Sequence, residues 1–235
     1  RNGPLRLIVI SGINESPEQR MKLFQISELY ANMVGLHDGH ERDQLTGLLN
    51  RQTFNHFYER TAQSALIQES QMFLAICDID HFKKVNDTYG HQAGDKVLIE
   101  FVYSIKQSIR NELDWIARYG GEEFLIVLPE TGPEGALIMA ERLRNTISNH
   151  KFIFHEKAFH ITSSFGISGF DSASSDENIS SEVLINIADR NLYQCKLEGR
   201  NRVKAGYVNK DNSLTFNKND QQLMTNIQNE VIDNE

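Results

Sequence analysis

The sequence predicts an α/β domain of the α+β kind, and two observations support this prediction. Apolar runs of strand length, such as Phe73–Ile79 and Phe124–Leu128, alternate with longer segments in which apolar residues recur every three or four positions. Glycines and clusters of Ser, Asp and Asn separate these segments, as turns and loops require. Alternation of this kind is typical of helices packed on a sheet.

The first 42 residues differ in character from the rest of the chain. Residues 5–10 are predicted to form a strand, which is too short to be a domain, so residues 1–15 are expected to be the trailing edge of an upstream sensor module. Ser16 and Pro17 are typical of a helix start, and a linker helix is predicted over 16–42. Its apolar seam consists of Leu23, Ile26, Tyr30, Met33 and His37.

Two interpretations of this seam stay open. It could pack an amphipathic helix against its own domain, or it could form a short parallel coiled coil that dimerises the chain. Because the chain begins with Arg1 rather than Met, we expect it to be part of a longer protein.

The next region is predicted to begin with two helices and one strand. A helix is expected over 51–68, after Asn50, and an apolar strand over 72–79. A second helix is predicted within 90–110, because its apolar residues fall on one face suited to core packing. That face consists of Val97, Leu98, Phe101, Val102, Ile105 and Ile109.

A hairpin is predicted next, with strands near 113–119 and 123–129. Pro133 suits the first turn of a helix, and the helix that it opens has a regular apolar stripe. The stripe consists of Leu137, Ala140, Leu143 and Ile147.

The last elements are a strand pair near 159–170 and a helix over 181–197, which Gly199 ends. The loop between them, 171–178, is rich in Ser, Asp and Asn and is expected to be exposed. The buried face of the helix is predicted to comprise Val183, Leu184, Ile187, Ala188 and Leu192. Residues 207–235 are polar and acidic, which predicts a mobile tail or a marginal helix.

Composition limits the classes of function. The net charge of -8 argues against a protein that binds nucleic acid polymers regardless of sequence, since such proteins need a basic surface. No apolar run reaches membrane-spanning length, so no membrane contact is expected. Cys77 and Cys195 both lie in apolar patterns, which predicts buried thiols in a reducing compartment, the cytoplasm.

The run from Arg118 to Phe124 is the strongest chemical signal in the chain. Two glycines allow a tight turn, and the adjacent carboxylates Glu122 and Glu123 precede an apolar strand. A second apolar strand ends in Asp78 and Asp80. Because charge in an apolar setting needs a partner, these strand ends predict a divalent metal site. The alternatives are that Asp80 caps the helix after it and that the two Glu residues are merely solvated.

Phosphate binding needs cations, and guanine needs directed hydrogen bonds. Lys196 and Arg200 lie four positions apart at the end of the last helix, so they are predicted to share one face for as long as the helix continues; alternatively they only complement the helix dipole. Lys83 falls in the helix after Asp78. An Asp such as Asp95 accepts hydrogen bonds from the guanine edge, and the alternative is that Asp95 caps a helix.

Together these residues resemble the GGDEF-domain diguanylate cyclases. The resemblance rests on four ordered motifs and covers residues 40–206, and it is strongest at the signature Gly120–Phe124. The other motifs are Asp43–Arg51, Asp78–Asp87 followed by Gly90–Asp95, and Ala188–Asn201.

The resemblance implies a palm-like fold for residues 43–206, related to nucleotidyl cyclases and polymerase palms, with a central, mainly antiparallel sheet wrapped by helices. It also implies condensation of two GTP molecules into cyclic di-GMP and two pyrophosphates. Each copy would hold one GTP, and the active site would form in an antiparallel homodimer.

The resemblance assigns roles to individual residues. Asp78, Glu122 and the carbonyl group of Ile79 would bind Mg²⁺ or Mn²⁺. Glu122 would also assist deprotonation of the 3′-hydroxyl, with Glu123 as an auxiliary acid. Lys83 would stabilise charge on the phosphates in the transition state.

The nucleotide itself would be held by a second group of residues. Lys196 and Arg200 would grip the triphosphate. Asn86 and Asp95 would read the guanine base, with His91 nearby.

Two departures from the family pattern matter. Glu122 replaces the Asp of the signature, and either residue can ligate metal. The family's Arg-x-x-Asp product-inhibition motif is incomplete, because Asn111 stands where Arg is expected before Asp114, while Arg110 is one residue out of register. Asn cannot make the bidentate contact of Arg, so weak or absent feedback inhibition is predicted.

Two other functions stay open. The chain could be a catalytically silent module that binds GTP or cyclic di-GMP, or it could be a cyclase with altered base choice. The complete set of carboxylates argues against the first, and Asp95 argues against the second.

Overall fold

The computed structural model describes residues 41–110, 113–171, 180–208 and 214–215. The predicted upstream strand, nearly all of the linker helix, all of the predicted loop 171–178 except Asp171, and most of the tail lie outside these residues. The predicted domain boundaries therefore stay predictions.

Five helices and ten strands occur in the described part of the chain. The helices are α1 Arg51–Ile67, α2 Phe82–Tyr89, α3 His91–Ser108, α4 Pro133–Asn149 and α5 Ser181–Leu197. The strands are β1 Leu49–Asn50, β2 Gln71–Ile79, β3 Trp115–Arg118, β4 Glu123–Pro129, β5 Phe152–Phe154, β6 Lys157–Phe159, β7 Ser163–Asp171, β8 Val203–Ala205, β9 Tyr207–Val208 and β10 Leu214–Thr215.

The main sheet is mixed and mainly antiparallel. Its order is β1-β3-β4-β2-β7-β9-β10, with β8 also paired to β7. The long pairs β3–β4, β4–β2 and β2–β7 are antiparallel, whereas the short strands β1, β8 and β9 pair in parallel. This arrangement confirms the predicted fold class.

Helices cover both faces of the sheet. Side chains of β2 alternate between the faces, as a strand requires: Phe73 and Ala75 belong to one core cluster, and Met72 and Leu74 belong to the other. The apolar stripes of α3 and α4 fill the first cluster, and α1 and α5 pack into the second. The strand β2 is therefore buried on both faces, and the chemistry lies at its end.

The helices predicted between residues 51 and 197 and the hairpin near 113–129 are confirmed, but the predicted strand pair near 159–170 is wrong. Residues 163–171 form the single strand β7, and the hairpin occurs earlier, as β5 and β6 in a separate two-stranded sheet. In α5, Leu184, Ala188 and Leu192 are buried as predicted. Val183 is exposed, because it lies outside the stripe that faces the sheet.

Both cysteines are buried, as the sequence predicts. Cys77 and Cys195 are both buried free thiols. No described helix combines the length and the apolar character needed to cross a membrane. Within the predicted tail, β9 and β10 pair with each other, which its polar composition did not indicate.

Candidate active site

The signature run forms the tip of the β3–β4 hairpin. Backbone N–H groups of Tyr119 and Gly120 donate to the Glu123 carbonyl oxygen at 2.9 and 3.2 Å. A Cβ atom on Gly120 would lie 2.6 Å from Glu123 Oε2. Neither Gly120 nor Gly121 has a positive φ. Gly120 therefore leaves room for the Glu123 carboxylate and is not required for a left-handed turn.

Arg118 organises this tip, and it was not among the predicted site residues. Its Nη1 lies 3.0 Å from both carboxylate oxygens of Asp43, and its Nη2 donates to the Gly121 carbonyl oxygen at 2.6 Å. Burial opposes ionisation of Asp43, but hydrogen bonds from Thr46 and Arg118 outweigh it and lower the pKa of that carboxyl. Arg118 thus joins the motif at the start of the domain to the signature loop.

The predicted metal-binding carboxylates meet at the end of β2. Asp78 lies opposite Glu123 in β4, and the N–H of Ile79 donates to the Glu122 carbonyl oxygen at 3.4 Å. Asp78 is 5% exposed, whereas both Glu residues are half-buried. Lys196 Nζ lies 3.0 Å from Asp78 Oδ2. One predicted phosphate-binding cation therefore already contacts a predicted metal ligand.

The electrostatics of these carboxylates favour a bound cation. Burial raises the pKa of Asp78, and Lys196 offsets part of this effect. Burial also raises the pKa of Glu122, and the charge of Asp78 raises it further. A divalent cation would reverse both effects, because it stabilises the ionised forms.

The donor set also fits a magnesium-like ion. In the part of the chain that the structure describes, no three Asp, Glu, His or Cys side chains converge as a closed metal cage. Mg²⁺ commonly takes one or two carboxylates and completes its shell with waters and substrate phosphates. Asp78 and Glu122 would supply such a partial shell.

Asp80 does not cap α2, contrary to one expectation from the sequence. The N-cap residue is His81, which has φ 58° and makes no side-chain cap hydrogen bond. Asp80 instead accepts hydrogen bonds from the hydroxyls of Thr162 and Ser164 and from the backbone N–H of Asn201. A buried carboxylate needs hydrogen-bond donors, and those of Asp80 come from residues distant in the sequence rather than from the nearby helix end.

The predicted guanine-reading residues lie on two adjoining helices. Asn86 is on α2, and Asp95 is exposed on α3. A Cβ atom on Gly94 would lie 2.0 Å from Asn86 Oδ1, so only glycine leaves room for that amide. The N-cap of α3 is Gly90, so Asp95 is in the second turn and does not cap the helix. His91 begins α3 and is exposed.

The cations Lys83, Lys196 and Arg200 are placed differently from one another. Lys83 is the second residue of α2 and is exposed, and it makes no hydrogen bond or ion pair with the described residues. Lys196 and Arg200 do not share a helix face, because α5 ends at Leu197, where the sequence predicts its end, and Arg200 has φ 65°. Arg200 instead lies in a turn, in which its backbone N–H donates to the carbonyl oxygen of Cys195 at 2.9 Å.

Arg110 forms an ion pair with Asp114, the carboxylate of the incomplete inhibition motif. Its guanidinium group binds both oxygens of Asp114, with Nε at 3.1 Å from each, and its backbone N–H donates to Oδ2 at 2.8 Å. The same side chain reaches Pro129 O and Thr131 Oγ1. Asn111 lies outside the described residues.

Comparisons with known proteins agree with this geometry. Residues 40–202 match the family model described as GGDEF, the diguanylate cyclase GGDEF domain. The diguanylate cyclase DgcP of Pseudomonas aeruginosa is 39% identical over 162 residues, which cover 69% of this chain and 23% of that protein. The chain spans 35–38% of the length of further curated relatives.

Two solved structures resemble the fold. The coiled coil and GGDEF domain of DgcB from Caulobacter crescentus, in complex with c-di-GMP, aligns with a TM-score of 0.72 and 29% identity over 80% of this chain and 98% of that chain. The active GGEEF domain of a diguanylate cyclase from Vibrio cholerae aligns with a TM-score of 0.60 and 31% identity over 69% of this chain and 97% of that chain.

Proposed function

Because this chain belongs to the GGDEF family of diguanylate cyclases, we propose that it condenses two molecules of GTP into cyclic di-GMP and two pyrophosphates. It would do so in the cytoplasm, as the output step of a signalling protein with a sensor upstream. The observation that carries the proposal is the buried Asp78, with Glu122 beside it and Lys196 in contact with it, at the end of the central strand.

The signature Gly-Gly-Glu-Glu-Phe is compatible with activity. The Vibrio cholerae domain that aligns with this chain is described as active and carries the same GGEEF sequence. Glu122 keeps the carboxylate that the site needs, one methylene further from the backbone than the family's Asp. The complete set of acids therefore favours a cyclase over a silent binding module.

Asp78, Glu122 and the carbonyl group of Ile79 would hold Mg²⁺ or Mn²⁺. When bound, such a cation lowers the pKa of an attacking hydroxyl and neutralises charge on the phosphates. Glu122 would lie beside the activated hydroxyl as a carboxylate acceptor for its proton, so we also assign to it the assistance of 3′-hydroxyl deprotonation. Glu123 would serve as an auxiliary acid.

Lys196 would change partners when the nucleotide binds. Its side chain is 32% exposed, so it has room to move away from Asp78. A cation at Asp78 would repel the ammonium group, and the triphosphate would attract it. Arg200 would grip the same phosphates, and Lys83 would stabilise their charge in the transition state.

Guanine recognition would come from Asn86 and Asp95, with His91 at the start of the same helix. The carboxylate of Asp95 accepts from the two donors on the guanine edge, which adenine does not offer. The amide of Asn86 adds one donor and one acceptor. Preference for GTP over ATP is therefore expected.

One GTP per chain implies that two chains share each reaction. The proposal places two catalytic domains in an antiparallel homodimer, so that the 3′-hydroxyl of one nucleotide attacks the α-phosphate of the other. The orientation of the two domains would be set by the segment upstream of the catalytic domain.

The test incubates the purified chain with GTP and Mg²⁺ and measures cyclic di-GMP and pyrophosphate together. We expect one cyclic di-GMP for every two pyrophosphates, and a loss of at least about 100-fold in Glu122→Ala, since the carboxylate acts on both metal and proton. Glu69→Ala, on the loop after α1, is the matched control and should keep wild-type activity.

Two other results would point elsewhere. Binding of GTP without product, even when a fused coiled coil enforces dimers, would indicate a silent module. Equal turnover of ATP and GTP would remove the guanine assignment while leaving the cyclase chemistry in place.

A further inference from the structure

Asp80 is a buried carboxylate that the proposed chemistry leaves without a role. It directly follows β2 and is 4% exposed. The hydroxyls of Thr162 and Ser164 donate to Oδ2 and Oδ1 at 2.7 and 2.8 Å. A third hydrogen bond comes from the backbone N–H of Asn201, 3.0 Å from Oδ2 and 121 positions away in the chain. These donors stabilise the buried charge.

The third donor belongs to an unusual turn. Gly199, Arg200 and Asn201 have φ values of 112°, 65° and 46°, so three successive residues are in the positive-φ region. Only glycine adopts this region freely, and Asn tolerates it better than Arg does. A turn of this kind keeps its shape only where surrounding contacts impose it.

Arg144 holds the same turn from another side. Its Nη1 donates to Asn201 Oδ1 at 2.8 Å. Its Nε pairs with Glu141 Oε2 at 2.8 Å, and both side chains are largely buried on α4. The guanidinium group is therefore fixed before it meets Asn201. Asn201 is held through its backbone by Asp80 and through its side chain by Arg144.

Two links tie the end of α5 to the end of β2. Lys196 contacts Asp78, and Asn201 contacts Asp80. Arg200 lies between Lys196 and Asn201 in the sequence, so these two anchors determine where its side chain starts. Without the second anchor, the strained turn would be free to relax and to carry Arg200 away.

We propose that Asp80 and Arg144 are positioning residues that fix the Gly199–Asn201 turn and so place Arg200 at the phosphate end of the nucleotide site. The inference rests on the proposed function, because it concerns the role assigned to Arg200. Neither positioning residue touches the nucleotide. Each acts through the backbone or side chain of Asn201.

The first test measures affinity for GTP and for GMP in a double-mutant cycle. Asp80→Ala and Arg200→Ala should each weaken GTP binding about tenfold, which is the loss expected for one charged phosphate contact. Both variants should leave the affinity for GMP within about twofold of wild type, since GMP lacks the outer phosphates. The double variant should bind GTP no more weakly than Arg200→Ala alone, because both changes remove the same contact.

Ser164→Ala is the matched control. It removes another donor to the same carboxylate but leaves the bond from Asn201, so its GTP affinity should stay close to wild type. The inference fails if Asp80→Ala weakens the binding of GTP and of GMP equally. It also fails if the double variant loses GTP affinity by the product of the two single losses, because Asp80 would then not act through Arg200. Should Asp80→Ala not fold, Asn201→Ala, which removes the side-chain link to Arg144 and keeps the backbone bond to Asp80, tests the other anchor of the turn with the same expectations.

The second test does not depend on GTP. Hydrogen exchange of the amides in residues 196–204 should accelerate in Asp80→Ala and Asn201→Ala, while exchange in α3 stays as in wild type. Unchanged exchange in the turn would overturn the positioning role. If the wild type binds no GTP, the proposed function falls, and the exchange measurement still decides whether Asp80 holds the turn.

Discussion

A shift of one position along the chain changes what an arginine can do, as Arg110 and Asp114 show. The inhibition motif that the family resemblance implies would have its arginine at the position of Asn111. Here Arg110 instead folds back on Asp114, whose side chain is only 3% exposed. The carboxylate that the motif would offer to the product is therefore already paired within the chain.

The residue-scale prediction is that product feedback is weak. Wild type should be poorly inhibited by cyclic di-GMP, and Asn111→Arg should increase sensitivity at least about tenfold, because a bidentate charged contact contributes about 1.5–3 kcal/mol. Initial rates at increasing cyclic di-GMP measure this. Asn111→Lys adds the positive charge without the paired N–H donors of a guanidinium group, so it should increase sensitivity to cyclic di-GMP much less. Strong inhibition of the wild type, unaltered by Asn111→Arg, would contradict the prediction.

The position of a single residue could be predicted where a nearby sequence pattern determines its place in the fold. Asp78 and Glu122 were predictable because each ends or begins an apolar strand, and antiparallel neighbours bring such ends together. Asp80 was misassigned, because a nearby helix start suggested capping while its real donors lie 82 to 121 positions away. The pairing of Arg118 with Asp43 crosses 75 positions, and nothing in the spacing indicated it.

Between elements, two glycines set the closest approaches. A Cβ atom on Gly166 in β7 would lie 1.9 Å from Ala188 O and 2.4 Å from Leu192 N, both backbone atoms of α5. The three atoms nearest to a Cβ atom on Gly94 would all be side-chain atoms, with Asn86 Oδ1 at 2.0 Å and Phe82 Cζ at 3.1 Å. The same substitution should therefore have different consequences at the two sites.

Gly166→Ala should destabilise the fold, because a packed helix backbone must move. We expect a cost of about 3 kcal/mol and a fall in Tm of roughly 6–12 °C. Gly94→Ala should keep Tm within a few degrees and weaken GTP binding about tenfold, since it displaces an amide that reads the base. Thermal melts and GTP titrations distinguish the two. A stable Gly166→Ala with wild-type Tm would show that α5 does not need this contact.

Element prediction succeeded where periodicity was strong and failed where turn chemistry was unusual. The stripe of α4 is long and regular, and all four of its predicted residues are fully buried. The β5–β6 hairpin turns at His155 and Glu156, which have φ 45° and 63°. Hairpin turns with two positive φ values normally carry Asn-Gly or Asp-Gly. The usual signal was absent, so the hairpin was missed.

At the scale of the whole molecule, the proposed reaction joins two nucleotides, whereas the described residues of each chain supply one set of candidate catalytic groups. Turnover per chain should therefore rise with protein concentration over the range in which dimers form. Fusion of a strong parallel coiled coil upstream should remove this dependence. Initial rates measured alongside sedimentation velocity test the expectation. Constant turnover per chain across a dilution that sedimentation shows to produce monomers would exclude the shared site.

The contact of Arg118 with Asp43 and Gly121 has a practical consequence for protein engineering. Through Arg118, the signature loop is bonded to Asp43, which lies two positions after Glu41, where the described part of the chain begins. A chimera that replaces the input segment should therefore join before Arg42. A junction placed even two residues later would delete the carboxylate that anchors Arg118, and an intact signature would then be carried on a loosened loop.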